Sequence, residues 1–475
     1  MKNAYQRTQF HPRFFFTVSL MMATLIAVAG DHVENRSEWL LDTLPQNWVL
    51  EQQYFMTTPN EDRWWHEFND PVLVALIQKG VTNNYDVQMA ARRIEMAHQT
   101  ERATKAGYYP TVNLAGNWTR EMTASTVHGE HPHEQSMSYF QLGLAVNWEI
   151  DLFGRIKQQL KADRANYYVS VEDYNAAQVS LCSNLAKAYF QLRLAQEQVK
   201  IAEANVAIVE KQKVLADARY EAGLRPLLDE VQARMSVVQT RATLPQLRAN
   251  VRTYLNQVAL LVGEYPDKLE YLLEDSALPS APEPGNVADP QALLRRRPDI
   301  VSAEQQLAAT AAQIGIAKKD FLPTLSVTAH VGTQAHTLSQ IFSNNAYYYT
   351  VLPTLTWTVF DGMARNAKLA QARLQMESQI DSYNLTVMTA VSEVNNAMLS
   401  WQSIGEQIIY QEMILKDARK QLELQTDRYL QGLNGFSDIA GAQAQVLQYE
   451  NSLIQLKASQ LAAIVTLYTA LGGGF

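Results

Sequence analysis

Residues 139–155 read Tyr139-Phe140-Gln141-Leu142-Gly143-Leu144-Ala145-Val146-Asn147-Trp148-Glu149-Ile150-Asp151-Leu152-Phe153-Gly154-Arg155. Phe140, Leu142, Leu144, Val146, Trp148 and Ile150 alternate with Gln141, Gly143, Asn147 and Glu149, so a strand here has one apolar and one polar face. From Arg155 to Ala222 the next 68 residues contain neither Gly nor Pro. A helix of that length rises about 100 Å. Alternating steps of four and three put Leu181, Leu185, Ala188, Leu192, Ala195, Val199, Ala202, Val206 and Val209 on one seam, the spacing of a coiled coil. Gly223 suits a left-handed stop. The chain then returns through Leu227–Val262 as the second arm of an antiparallel helical hairpin, with Pro245 expected to kink it.

Working outward, the same unit occurs a second time. Asp86-Val87, Ala90 and Ile94, ending Tyr109-Pro110-Thr111, return 213 positions later as Asp299-Ile300, Ala303 and Leu307, ending Leu322-Pro323-Thr324. Trp148 returns 209 later as Trp357, and Tyr220-Glu221-Ala222-Gly223-Leu224 as Tyr429-Leu430-Gln431-Gly432-Leu433. Asp229 lies over Asp438, and Leu261-Val262-Gly263 over Ala470-Leu471-Gly472. The second helix has its own seam, Val387, Val391, Val394, Met398 and Trp401, and Gly432 ends it as Gly223 ends the first. These offsets divide the chain into a first repeat, 30–275 (strands 111–120 and 138–150, helical hairpin 155–262), and a Pro-rich linker, 276–290. The second repeat, 291–475, has strands 324–333 and 347–359 and hairpin 363–470.

The other strand segments repeat the two-faced pattern. Val112, Leu114 and Trp118 alternate with Thr111, Asn113, Asn117 and Thr119. Leu325, Val327, Ala329 and Val331 alternate with Ser326, Thr328 and His330, and Val351, Leu355, Trp357 and Val359 with Thr350, Thr354, Thr356 and Thr358. Segments of about ten residues with one apolar and one polar face match membrane barrel strands, with lipid outside and water inside. Trp118, Trp148 and Trp357 fit interfacial girdles; a soluble sandwich with one buried face is the competing architecture. Pro353 is expected to force a bulge. Four strands cannot close a barrel, and open edges are not tolerated in lipid. Two copies would give eight strands with a filled lumen and three would give twelve with a bore, which favours three. The fold class is therefore a mixed α and β membrane protein, with a transmembrane β-barrel of four strands per subunit and long coiled-coil helices continuing it as a tube.

Composition narrows the function. There are 475 residues, 40 Lys+Arg against 48 Asp+Glu, and one cysteine, Cys182. That balance excludes a basic nucleic-acid binder, and a lone thiol excludes a disulfide scaffold or a Cys-based zinc site. Lys2, Arg7 and Arg13 precede an apolar run from Phe14 to Ala29, closed by Ala27-Val28-Ala29. At 16 residues that run is short for a membrane span and reads as a signal peptide, residues 1–29, with cleavage before Gly30; an uncleaved anchor is the alternative. No nucleotide-binding, zinc-protease or hydrolase motif is present, so no enzyme and no cofactor is expected.

The run Trp64-Trp65-His66-Glu67-Phe68-Asn69-Asp70-Pro71-Val72-Leu73 resembles the opening of outer membrane efflux proteins, the outer membrane factor family. So do Trp148-Glu149-Ile150-Asp151-Leu152-Phe153-Gly154-Arg155, Leu294-Arg295-Arg296-Arg297-Pro298-Asp299-Ile300 and Ala470-Leu471-Gly472-Gly473-Gly474. The resemblance spans residue 60 to the C-terminus and is nearest the branch whose members carry a lipidated Cys after the signal peptide. Here that position is Gly30. It implies a homotrimer with a twelve-stranded barrel in outer membrane lipid and a periplasmic α-barrel. It also implies docking to a periplasmic adaptor and an inner membrane RND-type pump, for passive exit of small toxic compounds. A duct for secreted polypeptides and a pore-less periplasmic scaffold are the alternatives.

Relatives often close the periplasmic end with Leu, Asp and Arg at positions that correspond here to Ser437, Gly441 and Ala444. The candidate gate or adaptor contact therefore moves to the hairpin tips: Arg225 and Asp229 on one, Arg428, Asn434 and Asp438 on the other, with turns at Gly223 and Gly432. Arg225 and Asp229, four apart, could pair; ordinary solvated turn and cap residues are the plainer reading. His128, His131 and His133 could bind a transition metal, although a polar loop explains them as well and no metal site is assigned. Cys182, one position past seam residue Leu181, reads as packing.

Overall fold

The computed structural model describes residues 63–123, 135–274, 277–282 and 296–473, all within one compact unit. The signal segment, most of the linker and the histidine loop lie outside them. A 3-10 turn at Trp64–Phe68 leads to α1 (Pro71–Asn83), α2 (Tyr85–Ala106), β1 (Thr111–Thr123), β2 (Gln135–Ile150), α3 (Arg155–Glu221) and α4 (Leu227–Val262). After a second 3-10 turn (Pro266–Leu273) come α5 (Pro298–Lys319), β3 (Thr324–Ala335), β4 (Tyr347–Thr356), α6 (Ala364–Leu430) and α7 (Phe436–Ala470). The order helix, two strands, long helix, return helix thus occurs twice, and α3 and α6 are each 67 residues long.

Local chemistry sets the helix starts. Asp70 accepts hydrogen bonds from the Val72 and Leu73 amides ahead of α1, and Asn84 accepts from Asp86 and Val87 ahead of α2. The Asp151 carboxylate takes the Ile156 and Lys157 amides at 3.0 Å each, so the last strand residues hand over directly to α3. Helix α4 continues through Pro245 as one element.

The four strands form one antiparallel sheet in the order β1-β2-β3-β4. Register aligns like with like across it: Val112, Val146, Ala329 and Val351 form one apolar row, and Leu114, Leu144, Val331 and Tyr349 the next. The opposite face carries Asn117, Gln141 and Gln334 in a row, with Asn117 donating to Gln141 at 2.8 Å. Pro353 makes no bulge. It pairs with Val327 in an unbroken register, because β4 is an edge strand and its missing donor can point away from β3. Gly143 and Gly332 face each other on the polar side. A Cβ on Gly332 would lie 2.3 Å from the Leu142 carbonyl oxygen, and one on Gly143 2.6 Å from that of Val331.

The two repeats lock their sheets identically. The Trp148 indole N–H donates to the Tyr108 carbonyl at 3.0 Å, and its counterpart Trp357 donates to Phe321 at 3.1 Å. Below the sheet, α3 packs on α4, α5 and α7, and α6 on α5 and α7. The main core lies midway along α3, where Leu185, Tyr189 and Leu192 meet Leu76, Val258 and Ile464.

The glycine pair gives a direct test. Gly332→Val is expected to abolish β-sheet circular dichroism on refolding in detergent, whereas Gly116→Ala, whose new methyl would meet only ordinary contacts, is expected to refold. A Gly332→Val protein with an unchanged spectrum would mean that the strands do not approach as closely as described.

Candidate functional site

Two surfaces stand apart from the packed core. The first is the sheet. Val112, Leu114, Trp118, Val331, Val351 and Leu355 all lie on its apolar face and all are exposed. Large apolar surfaces left in water are unfavourable, and a continuous face of this kind marks contact with lipid or another protein. Both edges, β1 and β4, lack strand partners among the described residues. Where the polar face meets the helices, Arg155 pairs with Glu149 at 2.8 Å and Arg365 with Asp361 at 2.7 Å. The hydrogen bond from Arg365 holds the Asp361 carboxyl below its ordinary pKa.

The motif residues outside the sheet are packed among the helices. Trp64 stacks on Tyr468 with ring centroids 5.5 Å apart. Asp70, besides capping α1, accepts from the Tyr189 hydroxyl at 2.6 Å, and Arg193 donates to the same hydroxyl and to the Leu272 carbonyl. Burial and the Asp70 hydrogen bond push the Tyr189 phenol up, so it stays a neutral donor. Arg297, buried, reaches Asp299 and Glu393 at 2.7 Å each and the Ala470 carbonyl at the end of α7. The Trp64–Tyr468 stack joins the two repeats, whereas the Asp70–Tyr189–Arg193 chain ties elements within the first and the Arg297 contacts tie elements within the second. The Cys182 thiol, pushed up to about 12 by burial, is a packing group. Among the described residues no cluster of His, Cys, Asp and Glu could hold a metal ion.

The second surface is the pair of hairpin tips, which sit side by side. Gly223 and Gly432 take φ of +71° and +83°, with nothing near enough to obstruct a Cβ. Glycine is therefore required by backbone conformation rather than by space. Arg219 donates to the carbonyls of Tyr429 (2.6 Å) and Leu430 (2.5 Å), and Arg225 to those of Tyr429 (3.0 Å) and Asn434. The two guanidinium groups lie 5.5 and 4.5 Å from the centre of the Tyr429 ring. Carbonyls at a helix C-terminus lack intrahelical donors and carry the negative end of its dipole, so two cations there are well placed.

Of the five charged or polar tip candidates, Arg225, Asp229 and Asn434 meet, whereas Arg428 and Asp438 are exposed. The two aspartates differ for a local reason. Asp438 accepts from the Gly435 amide at 3.3 Å as half of a capping box. The matching residue ahead of Asp229 is Pro226, which has no N–H. Asp229 is buried, 4% exposed, and crosses to the other hairpin. It faces the Phe436 amide at 3.5 Å and the Arg225 Nε at 3.9 Å. Its Oδ2 and the Tyr429 hydroxyl have no hydrogen-bond partner among the described residues. Burial first, and the Asp229 charge second, raise the Tyr429 phenol above its ordinary pKa. Arg219 and Tyr429 were not singled out as site residues; the repeated Tyr-x-x-Gly-Leu flagged the tyrosine, but its cross-hairpin partner is set only by packing.

The family model for the outer membrane efflux protein matches residues 76–264 and 290–473. The cation efflux system protein CusC of Escherichia coli strain K12 is 27% identical over 438 residues, 91% of this chain and 93% of that protein. The solvent efflux pump outer membrane protein SrpC of Pseudomonas putida is 30% identical over 413 residues, 86% of each chain. Among solved structures, the outer-membrane channel OprN superposes with a TM-score of 0.80 at 30% identity, over 90% of this chain and 95% of that one.

The tip clamp is testable in isolation. Arg225→Ala removes charge-assisted hydrogen bonds of about 1.5–3 kcal/mol. It is expected to speed hydrogen exchange at the amides of residues 434–438 by about tenfold or more while leaving the core amides of Leu185–Leu192 unchanged. Equal exchange at the tip in both proteins would show that the clamp contributes nothing.

Proposed function

This chain belongs to the outer membrane efflux protein family, and on that premise we propose that it is the exit duct of a tripartite efflux system. It is an outer membrane channel that extends into the periplasm, and it is not an enzyme. In the proposed assembly three copies close a twelve-stranded barrel, a periplasmic adaptor docks on the helical part, and an inner membrane pump supplies the energy. One observation carries the reading: a four-stranded sheet with an exposed apolar face and two open edges continues directly into helices of 67 residues. Open edges cannot stand in hydrocarbon, and twelve strands are enough to leave a water-filled bore. Helices of about 100 Å then carry that bore inward.

The polar face is dominated by Thr, Ser, Asn and Gln, side chains suited to a wetted wall with little selectivity. The relatives' own names point to cations in one case and solvents in another, so this reading assigns small toxic compounds as the cargo class. The hairpin tips are read as the periplasmic mouth, where a gate and an adaptor contact belong. Residues 1–29 are read as an export signal, cleaved before Gly30.

Light scattering of the detergent-purified protein is expected to give three times the chain mass, and planar bilayers are expected to show discrete ion conductance. The mature N-terminus is expected at Gly30. Deleting the gene is expected to sensitise cells to dyes, detergents or antibiotics, and a deletion strain defective only in polypeptide export would favour the secretion duct. A monomer that needs no detergent and conducts nothing would overturn the proposal.

A further inference from the structure

The internal duplication predicts how a second copy is held at the mouth. Within the chain, the outer side of α3 is covered by α5 and α7 of the second repeat. The matching side of α6 has no such cover: Met388 and Ile414 are exposed where their counterparts on α3, Val179 and Asn205, are buried. The elements that would supply the cover are the counterparts of α5 and α7, namely α2 and α4 of a neighbouring copy. They too carry bare apolar groups. Met89 and Met96 on α2 are exposed, whereas Ser302 and Ala309, at the same repeat positions on α5, are buried. At the tips the contrast is sharper: Tyr220 is 39% exposed against 0% for Tyr429, and Leu227 52% against 1% for Phe436. Each uncovered residue is the repeat counterpart of one that is buried inside the chain, so the missing partner has the surface of this same protein.

Arg219 fixes the chemistry of the contact. It donates to the carbonyls of Tyr429 and Leu430 across the junction between the repeats. Its counterpart, Arg428, is exposed, and its side chain makes no hydrogen bond or ion pair among the described residues. The counterparts of the two carbonyls are those of Tyr220 and Glu221, 209 positions earlier. We propose that Arg428 of one copy donates to the carbonyl oxygens of the partner subunit's Tyr220 and the partner subunit's Glu221, reproducing between copies the contact Arg219 makes within one. The second clamp is not reproduced. The position of Arg225 is taken by Asn434, whose side chain is turned back on Gln425 at 2.8 Å. Junctions with two arginines inside each chain therefore alternate around the mouth with seams held by one arginine, and the mouth loosens at the seams between copies.

This rests on the trimeric channel proposed above, and the test separates the two. Single-channel conductance is measured in planar bilayers for wild type, Arg428→Ala and Asn434→Arg, with oligomer mass measured by light scattering for each. Arg428→Ala is expected to raise open probability on the order of tenfold, because each lost contact is a charge-assisted one. Asn434→Arg is expected to lower it, because it restores the second clamp at every seam. Trimers of normal mass in which neither substitution moves the conductance would overturn the seam assignment and leave the channel reading intact. A wild type that forms no trimer would overturn the channel reading itself.

Discussion

The controlling constraint on this molecule is that a strand edge in hydrocarbon must find a partner. Each unpaired backbone N–H or C=O in lipid costs several kcal/mol, and the sheet exposes two such edges, β1 and β4. The apolar rows Val112–Val146–Ala329–Val351 and Leu114–Leu144–Val331–Tyr349, exposed except at the half-buried Val146 and Ala329, suit that sheet to lipid. A surface that requires lipid on one face and a neighbour at each edge cannot belong to an isolated chain. In the proposed assembly the oligomer and the bore follow from that single requirement.

Duplication supplies the means. The β1–β2 pairing Thr111↔Asn147 becomes the β3–β4 pairing Thr324↔Thr356 when each strand is moved by its own repeat offset, 213 for the first strand and 209 for the second. The Trp148–Tyr108 and Trp357–Phe321 hydrogen bonds repeat with the same two offsets. One hairpin-and-coil unit thus packs against its own copy within the chain, and the same surfaces remain open at both ends of the pair. The copies share few side chains along their length, and at the tips the differences alter the contacts. Pro226 opposite Gly435 and Arg225 opposite Asn434 change which groups are free to reach across.

The family motifs fall mainly at joints. Asp70, Tyr189 and Arg193 form one hydrogen-bonded chain, and Arg297 ties the start of α5 to the end of α7. In the proposed assembly the chain contributes geometry, and the pump contributes the energy of transport.

Periodicity made the long helices, the two-faced strands and their duplication legible, because alternation at two and at three-and-a-half residues is written in single side chains along the chain. The glycines ending α3 and α6 were legible for the same reason, since a positive φ is a property of one residue. Pro353 was misread as a bulge because whether a proline disrupts a ladder depends on which side its neighbour lies, and strand order is not local. At the tips, sequence identified Arg225, Asp229 and Asn434 but treated Asp229 and Asp438 as equivalents. Burial of the one and exposure of the other depend on what the second hairpin places alongside. Only the folded chain brings the Tyr429 carbonyl to Arg219, some two hundred residues away in sequence, because contacts between separate elements are fixed by packing rather than by any pattern within either one.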